Sequence, residues 1–193
     1  MKLYQLKALS LIPDALSLKR NDCEDRVGHI YFFEDIAFST NGHIVLVIPH
    51  KMPALDRPVG IHATVITSFL KDFSKTKFEL SSLEIKKKSG DVYTLATEFE
   101  SLDTKVIAPP QRLAEPVRNN TKLTPLAKEG QLFNWKYMAN MEKAVAMAAG
   151  IPPKLATGHL TYTFCDKRCV MSAEIAQGTV YGVVLGISQP KRK

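Results

Sequence analysis

Hydrophobic and polar positions alternate in one recurring order along this chain: a segment of helical period, then short alternating or β-branched runs separated by turn residues. The order occurs three times, which marks an internal repeat. The first copy predicts a helix opening at Pro13, with Asp14 beside it and Ala15-Leu16-Ser17-Leu18 following, before a polar break at 21–25. Strands are predicted from His29-Ile30-Tyr31-Phe32-Phe33, Ile36-Ala37-Phe38 and Ile44-Val45-Leu46-Val47-Ile48, with Asn41-Gly42 as a tight-hairpin signal between the last two.

The second copy predicts a helix from about Ile61, because Val65, Phe69 and Phe73 recur every four residues with Ile66 and Leu70 beside them. Thr64, Ser68, Lys71 and Lys75 then fall on the opposite side. Strand-like runs follow at 77–86, 91–99 and 104–108, the first two joined by Lys87-Lys88-Ser89-Gly90. In the third copy Asn134 suits an N-cap, Phe133 and Met138 stand where a hydrophobic staple would, and Gly150 before Pro152-Pro153 ends the helix. Phe133, Tyr137, Met141, Ala144, Val145 and Ala148 share its buried side, while Lys136, Asn140 and Lys143 face outward. The single tryptophan, Trp135, reads as a helix residue covering the core. Strands are predicted at 159–165, 169–175 and 179–187, with Asp166-Lys167-Arg168 and Gln177-Gly178 as turns.

The interval between the second and third helices is the longer one, and residues 109–131 account for the excess. With Pro109, Pro110, Pro116 and Pro125 this stretch reads as a linker crossing the surface. The predicted class is α+β: repeated helix-plus-three-strand units in two domains, near 1–100 and 128–193, the second incomplete. Residues 101–131 are the linker or a degenerate fourth unit.

Composition narrows the class without naming a task. The 193 residues are 45% hydrophobic and 23% charged, with 10 Gly and 11 Pro, which excludes disordered and collagen-like chains. Lys and Arg number 26 against 19 Asp and Glu, a formal charge of +7 that is only a modest basic excess. The start Met1-Lys2-Leu3-Tyr4-Gln5-Leu6-Lys7 predicts no signal peptide, and the apolar runs fall short of the roughly 20 residues that cross a bilayer. Three sparse cysteines fit a reducing, cytoplasmic setting.

The repeated unit resembles the building block of DNA sliding clamps, the rings that hold a polymerase on its template. Ile36-Ala37-Phe38-Ser39-Thr40-Asn41-Gly42-His43-Ile44-Val45-Leu46 is similar to the bacterial clamp's strand, Thr-Asp-Gly turn and returning strand, with Asn41 where Asp is usual. Phe133-Asn134-Trp135-Lys136-Tyr137-Met138, followed by 159–187, is similar to a clamp's later helix and closing strands. A full clamp chain is longer, and three units stand here where two domains would show four. The resemblance implies a non-catalytic accessory protein of DNA replication, without cofactor or metal, that forms a homo-oligomer and works with duplex DNA and with a polymerase or other replication protein. Its helices would offer Lys7, Lys19, Arg20, Lys71, Lys75, Lys136 and Lys143 to phosphates without reading bases. The plainer account of those residues is a solvated face opposite a core. No aromatic residue is read as interleaving with these lysines, which argues against a stacking platform for single strands.

Other readings are weaker. A clamp-fold module could instead sequester a protein through its sheet surface. Glu84-Ile85-Lys86 is the acid-x-Lys step of metal-dependent nucleases, with Asp72 the nearby second carboxylate, yet so short a motif recurs by chance. Cys165 and Cys169 with His159 lack the fourth ligand of a structural zinc site and are expected to pack as small apolar residues. Cys23, within Asp22-Cys23-Glu24-Asp25, sits in an acidic setting unsuited to a thiolate nucleophile.

Overall fold

The chain opens with a helix that the pattern did not predict. In the computed structural model, which describes residues 1–14, 27–51, 58–72, 80–81, 84–86, 92–94, 106–107, 117, 119, 132–165 and 167–187, helix α1 spans Leu3–Ser10. Leu6, Ala8, Leu9 and Ile12 are buried, and the Gln5 side chain accepts from the Lys2 N–H at 2.8 Å, the returning half of a capping box. Pro13 follows this helix instead of opening one. A proline disfavours helical backbone in the residue before it, so the same residue that suits a first turn also marks an end. Residues 15–20 of the expected helix lie outside the described residues.

Three strands follow: β1 (His29–Phe32), β2 (Ile36–Thr40) and β3 (Ile44–Pro49). The β2–β3 turn is built by Asn41, whose Oδ1 accepts from the backbone N–H of both His43 and Ile44 at 3.0 Å, with Gly42 at φ +88°. A fourth strand, β4 (Val59–His62), occupies the position where the second helix was expected to begin, and α2 runs Ala63–Asp72. Within 77–86 there are two strands, β5 (Leu80–Ser81) and β6 (Glu84–Lys86); β7 (Val92–Thr94) and β8 (Val106–Ile107) come next. Helix α3 spans Trp135–Ala149, a single helical turn α4 covers Ala156–His159 where the last strand group was expected to start, and β9 (Thr161–Cys165), β10 (Arg168–Ile175) and β11 (Gly178–Leu185) close the chain. The threefold order of a helix and three antiparallel strands is therefore present: α1 with β1–β3, α2 with β5–β7, α3 with β9–β11.

Eight strands form one antiparallel sheet in the order β8-β4-β1-β2-β3-β11-β10-β9, and β5-β6-β7 form a second sheet. The pairing of β3 with β11, Leu46 opposite Gly182, makes the large sheet continuous. Strands assigned to the domains at 1–100 and 128–193 thus share it.

Register sorts the side chains onto two faces. Ile30, Phe32, Ala37, Ile44, Leu46, Ile48, Ile61, Cys169, Met171, Ala173, Val180 and Val184 point to one side and pack with the buried residues of α1, α2 and α3. The opposite face carries a smaller core of Tyr31, Ile36, Phe38 and Val47, completed by Val117 from the stretch 101–131. Burial on both faces explains why β1 and β3 read as unbroken apolar runs instead of alternating ones. Each fully buried Leu, Ile or Phe contributes about 1.5–3 kcal/mol, so the helix-facing core holds α1, α2 and α3 against the sheet.

Candidate nucleic-acid interface

Helix α3 is the best-defined element of the site. Asn134 Oδ1 accepts from Lys136 N–H at 3.0 Å and caps its start. Gly150 adopts φ +73°, its N–H reaching Met147 O at 3.0 Å while Ile151 N–H reaches Ala146 O at 2.8 Å, the paired bonds of a Schellman stop. Met141, Ala144, Val145 and Ala148 are buried. At 100° per residue the opposite stripe carries Trp135, Lys136, Ala139, Asn140 and Lys143, and all five are exposed.

Helix α1 packs against both α2 and α3 on the same face of the sheet. Tyr4 near its start lies over Gly150 at the end of α3, while the Leu9 carbonyl near its end accepts from Ser39 Oγ at 2.8 Å. His43 in the β2–β3 turn stacks on Tyr137 in the first turn of α3, with ring centroids 5.5 Å apart. These contacts make α1 antiparallel to α3. The outward residues of α1 include Lys7, and those of α2, among its described side chains, are Thr64, Thr67, Ser68 and Lys71.

Of the seven basic residues predicted to meet phosphates, Lys7, Lys71, Lys136 and Lys143 are exposed on this helical layer. Lys19, Arg20 and Lys75 lie outside the described residues. Helix α1 contains no acidic residue, and the single carboxylate of α3, Glu142, is turned toward the sheet, where it hydrogen-bonds Tyr162. Burial first, then the charge and hydrogen bond of Glu142, push the Tyr162 phenol up to about 12. Among the described side chains, the solvent stripes of the three helices therefore carry lysine and no carboxylate.

Helix stability accounts for only part of this set. Lys7 and Lys71 stand in last turns, where a cation complements the helix dipole. Lys136 stands in the first turn of α3, where a cation is disfavoured, so its place is not explained by the helix itself.

Two expectations about aromatic residues are overturned. Trp135 does not cover the core: it is 80% exposed. An aromatic ring does stand among the lysines, since the exposed Trp135 shares their stripe, whereas the half-buried Tyr137 packs against the core and carries His43. The signal was in the spacing, because Trp135 lies one turn before Ala139 and two before Lys143 on the outward stripe.

Of the chemistry-bearing alternatives, the cysteine set does not assemble. Cys165 stands opposite Arg168 and Cys169 opposite Phe164, so the two thiols point to opposite faces of the sheet, and both are buried while His159 is exposed. Burial, with Cys165 secondary, pushes the Cys169 thiol up to about 11. Glu84 and Lys86 lie on β6, the middle strand of the small sheet. Among the described residues no group of three or more His, Cys, Asp or Glu is placed to hold a metal ion, and no helix is long and apolar enough to cross a membrane.

No protein-family model matches the chain, and no curated protein matches it. Solved structures do. The chain is similar to sliding clamps. One is a candidate DNA polymerase III beta subunit from Eubacterium rectale ATCC 33656, at 9% identity and a TM-score of 0.37, covering 99% of this chain and 50% of that one. Another is the DNA polymerase sliding clamp of Bacillus subtilis, at 12% identity and a TM-score of 0.36, covering 95% of this chain and 47% of that one. The chain spans about half the length of the solved structures it matches.

Proposed function

We propose that this protein is a non-catalytic, DNA-associated accessory protein of sliding-clamp type that touches duplex phosphates through Lys7, Lys71, Lys136 and Lys143, with Lys19, Arg20 and Lys75 as further contacts. The observation that carries the reading is the lysine set on the solvent side of one helical layer, free of carboxylates among the described side chains. Such a surface attracts a polyanion without selecting a sequence, because an ammonium group on a flexible stem takes a phosphate as a point charge and reads no base edge. Assembly into a homo-oligomer through β8 and β9, the edge strands of the large sheet among the described residues, and engagement of a polymerase or other replication protein, belong to the same proposal.

The test is retention on blunt duplex DNA as salt is raised. Each neutralised phosphate contributes about −0.9 to the slope of log K on log salt. Charge reversal of Lys136 and Lys143 together is expected to flatten that slope by about 2 and to weaken binding equally across sequences. Duplex binding left unchanged by the double reversal would place the interface elsewhere. A native mass measurement tests the assembly: a stable closed oligomer supports the ring, and a strict monomer removes it.

A further inference from the structure

The most exposed large apolar side chain of the described residues is Trp135, 80% exposed at the start of α3, and a phosphate-only surface has no use for it. Bases in a duplex are already stacked on one another, so duplex contact leaves the indole in water. Its neighbours on the outward stripe argue against an apolar partner as well: they are Lys136, Ala139, Asn140 and Lys143, a methyl and three polar groups. Ala139, one turn along the stripe, puts only a methyl beside the indole. Lys143 stands about 12 Å along the axis from Trp135, and Lys136 is the next residue, so both cations lie on the side of the ring toward the end of the helix. On the inner margin of the same stripe, His43 lies on Tyr137 at 5.5 Å with an interplanar angle of 17°, a ring pair with the exposed His43 on its outer side.

An exposed flat ring, ammonium groups beside it and no carboxylate on the stripe are the elements with which proteins hold unpaired nucleotides, the ring taking a base face and the cations the adjoining phosphates. We propose that the outward stripe of α3 is a platform for single-stranded nucleic acid, on which Trp135 stacks an unpaired base while Lys136 and Lys143 hold phosphates that follow it along the helix. Stacking is tolerant of sequence because every base offers a π-face, so the platform has no base preference built into it. The site shares Lys136 and Lys143 with the duplex reading but takes a different ligand through a residue that reading leaves idle.

Trp135 is the single tryptophan of the chain, so intrinsic fluorescence reports on this position alone. The whole protein is titrated with an oligothymidylate of about 16 nucleotides, a length one single-strand site can cover. Saturable quenching of the emission, weakened by salt, is expected. Trp135→Ala should weaken oligothymidylate binding, followed by anisotropy of a labelled strand, by about tenfold or more, while Trp135→Phe keeps most of it. Blunt-duplex binding of Trp135→Ala should be unchanged, which separates failure of this inference from failure of the duplex reading. The proposal is overturned by unquenched emission at saturating oligonucleotide, by Trp135→Ala binding the strand as the parent does, or by Trp135→Leu binding as well as Trp135→Phe, which would mean apolar burial and not stacking. An emission shift that follows protein concentration alone would assign the indole to a second copy and would equally overturn it.

Discussion

Met141 of α3 lies directly on Gly182 of β11, its thioether filling the space that a side chain at position 182 would need, with Val145 closing the same gap. The approach of helix to sheet at this point depends on a missing Cβ. Gly182→Ala is expected to destabilise the fold by about 1–3 kcal/mol through overpacking, and Gly182→Val by more. Thermal or urea unfolding checks it. In the double variant with Met141→Ala the penalty should shrink, since the two substitutions contest one volume and cannot be additive.

The ends of α3 make a second prediction. Removing the cap with Asn134→Ala should cost about 1 kcal/mol, because the Lys136 N–H loses its acceptor. Gly150→Ala should cost about 1–2 kcal/mol, since a side chain is forced into left-handed backbone and brought against the Tyr4 hydroxyl. Circular dichroism melting curves read both. Asn134→Asp should keep the cap, as a carboxylate oxygen accepts the same bond.

Much of this architecture was legible in the sequence, and each miss has a physical cause. The β2–β3 hairpin and the two ends of α3 announce themselves through local chemistry: Asn41-Gly42, Asn134 and Gly150 each do one job that few other residues do. Pro13 misled because proline suits a first helical turn and also disfavours helix just before itself, and only the packing of Leu6 and Leu9 decides for the earlier segment. Strand β4 was invisible because Val59-Gly60-Ile61-His62 is short and its Ile61 falls in step with the helical period of α2. The union of β3 with β11 joins residues far apart in the chain, and no local pattern encodes a pairing of that kind. At the site, Lys71, Lys136 and Lys143 followed from helical period, while Trp135 was assigned to the core by its hydrophobicity when its spacing from Lys143 already set it outside.

Acid sensitivity is the next expectation. His50 is buried, and that burial, with the positive amino terminus second, lowers its pKa below the ordinary 6.5 against the raising pull of Asp35 and of backbone hydrogen bonds to Ile36 and Phe33. The native state therefore prefers the neutral ring. Stability from this group is fully present above pH 6.5, where the unfolded chain is also neutral, and is lost as pH falls below 6.5 toward the depressed native value, because only the unfolded chain gains the proton there. Carboxylates add their own acid dependence, so the informative quantity is a difference. Urea midpoints measured from pH 8 to pH 5 should fall more steeply for the parent than for His50→Gln, and parallel curves would refute the assignment.

Asn41 explains its own identity at a turn where the clamp pattern has aspartate. Its Oδ1 serves the His43 and Ile44 N–H groups, work a carboxylate would do equally well, but its Nδ2 approaches Asp14 Oδ2 at 3.4 Å. Asn41 is buried, so an aspartate there would set a second negative charge against Asp14 with little water to screen it. Asn41→Asp is therefore expected to destabilise at neutral pH although it preserves both turn hydrogen bonds, and the deficit should narrow on acidification as one carboxyl takes up a proton. Asp14→Asn in the same chain should restore most of the loss by removing the opposing charge. Asn41→Ala, which abandons both acceptors, should cost about 1–3 kcal/mol at every pH and gain nothing from Asp14→Asn. Unfolding free energies of the four chains at pH 7 and pH 4 separate the outcomes. If Asp14→Asn failed to rescue Asn41→Asp, the amide would be required for a reason other than the neighbouring charge.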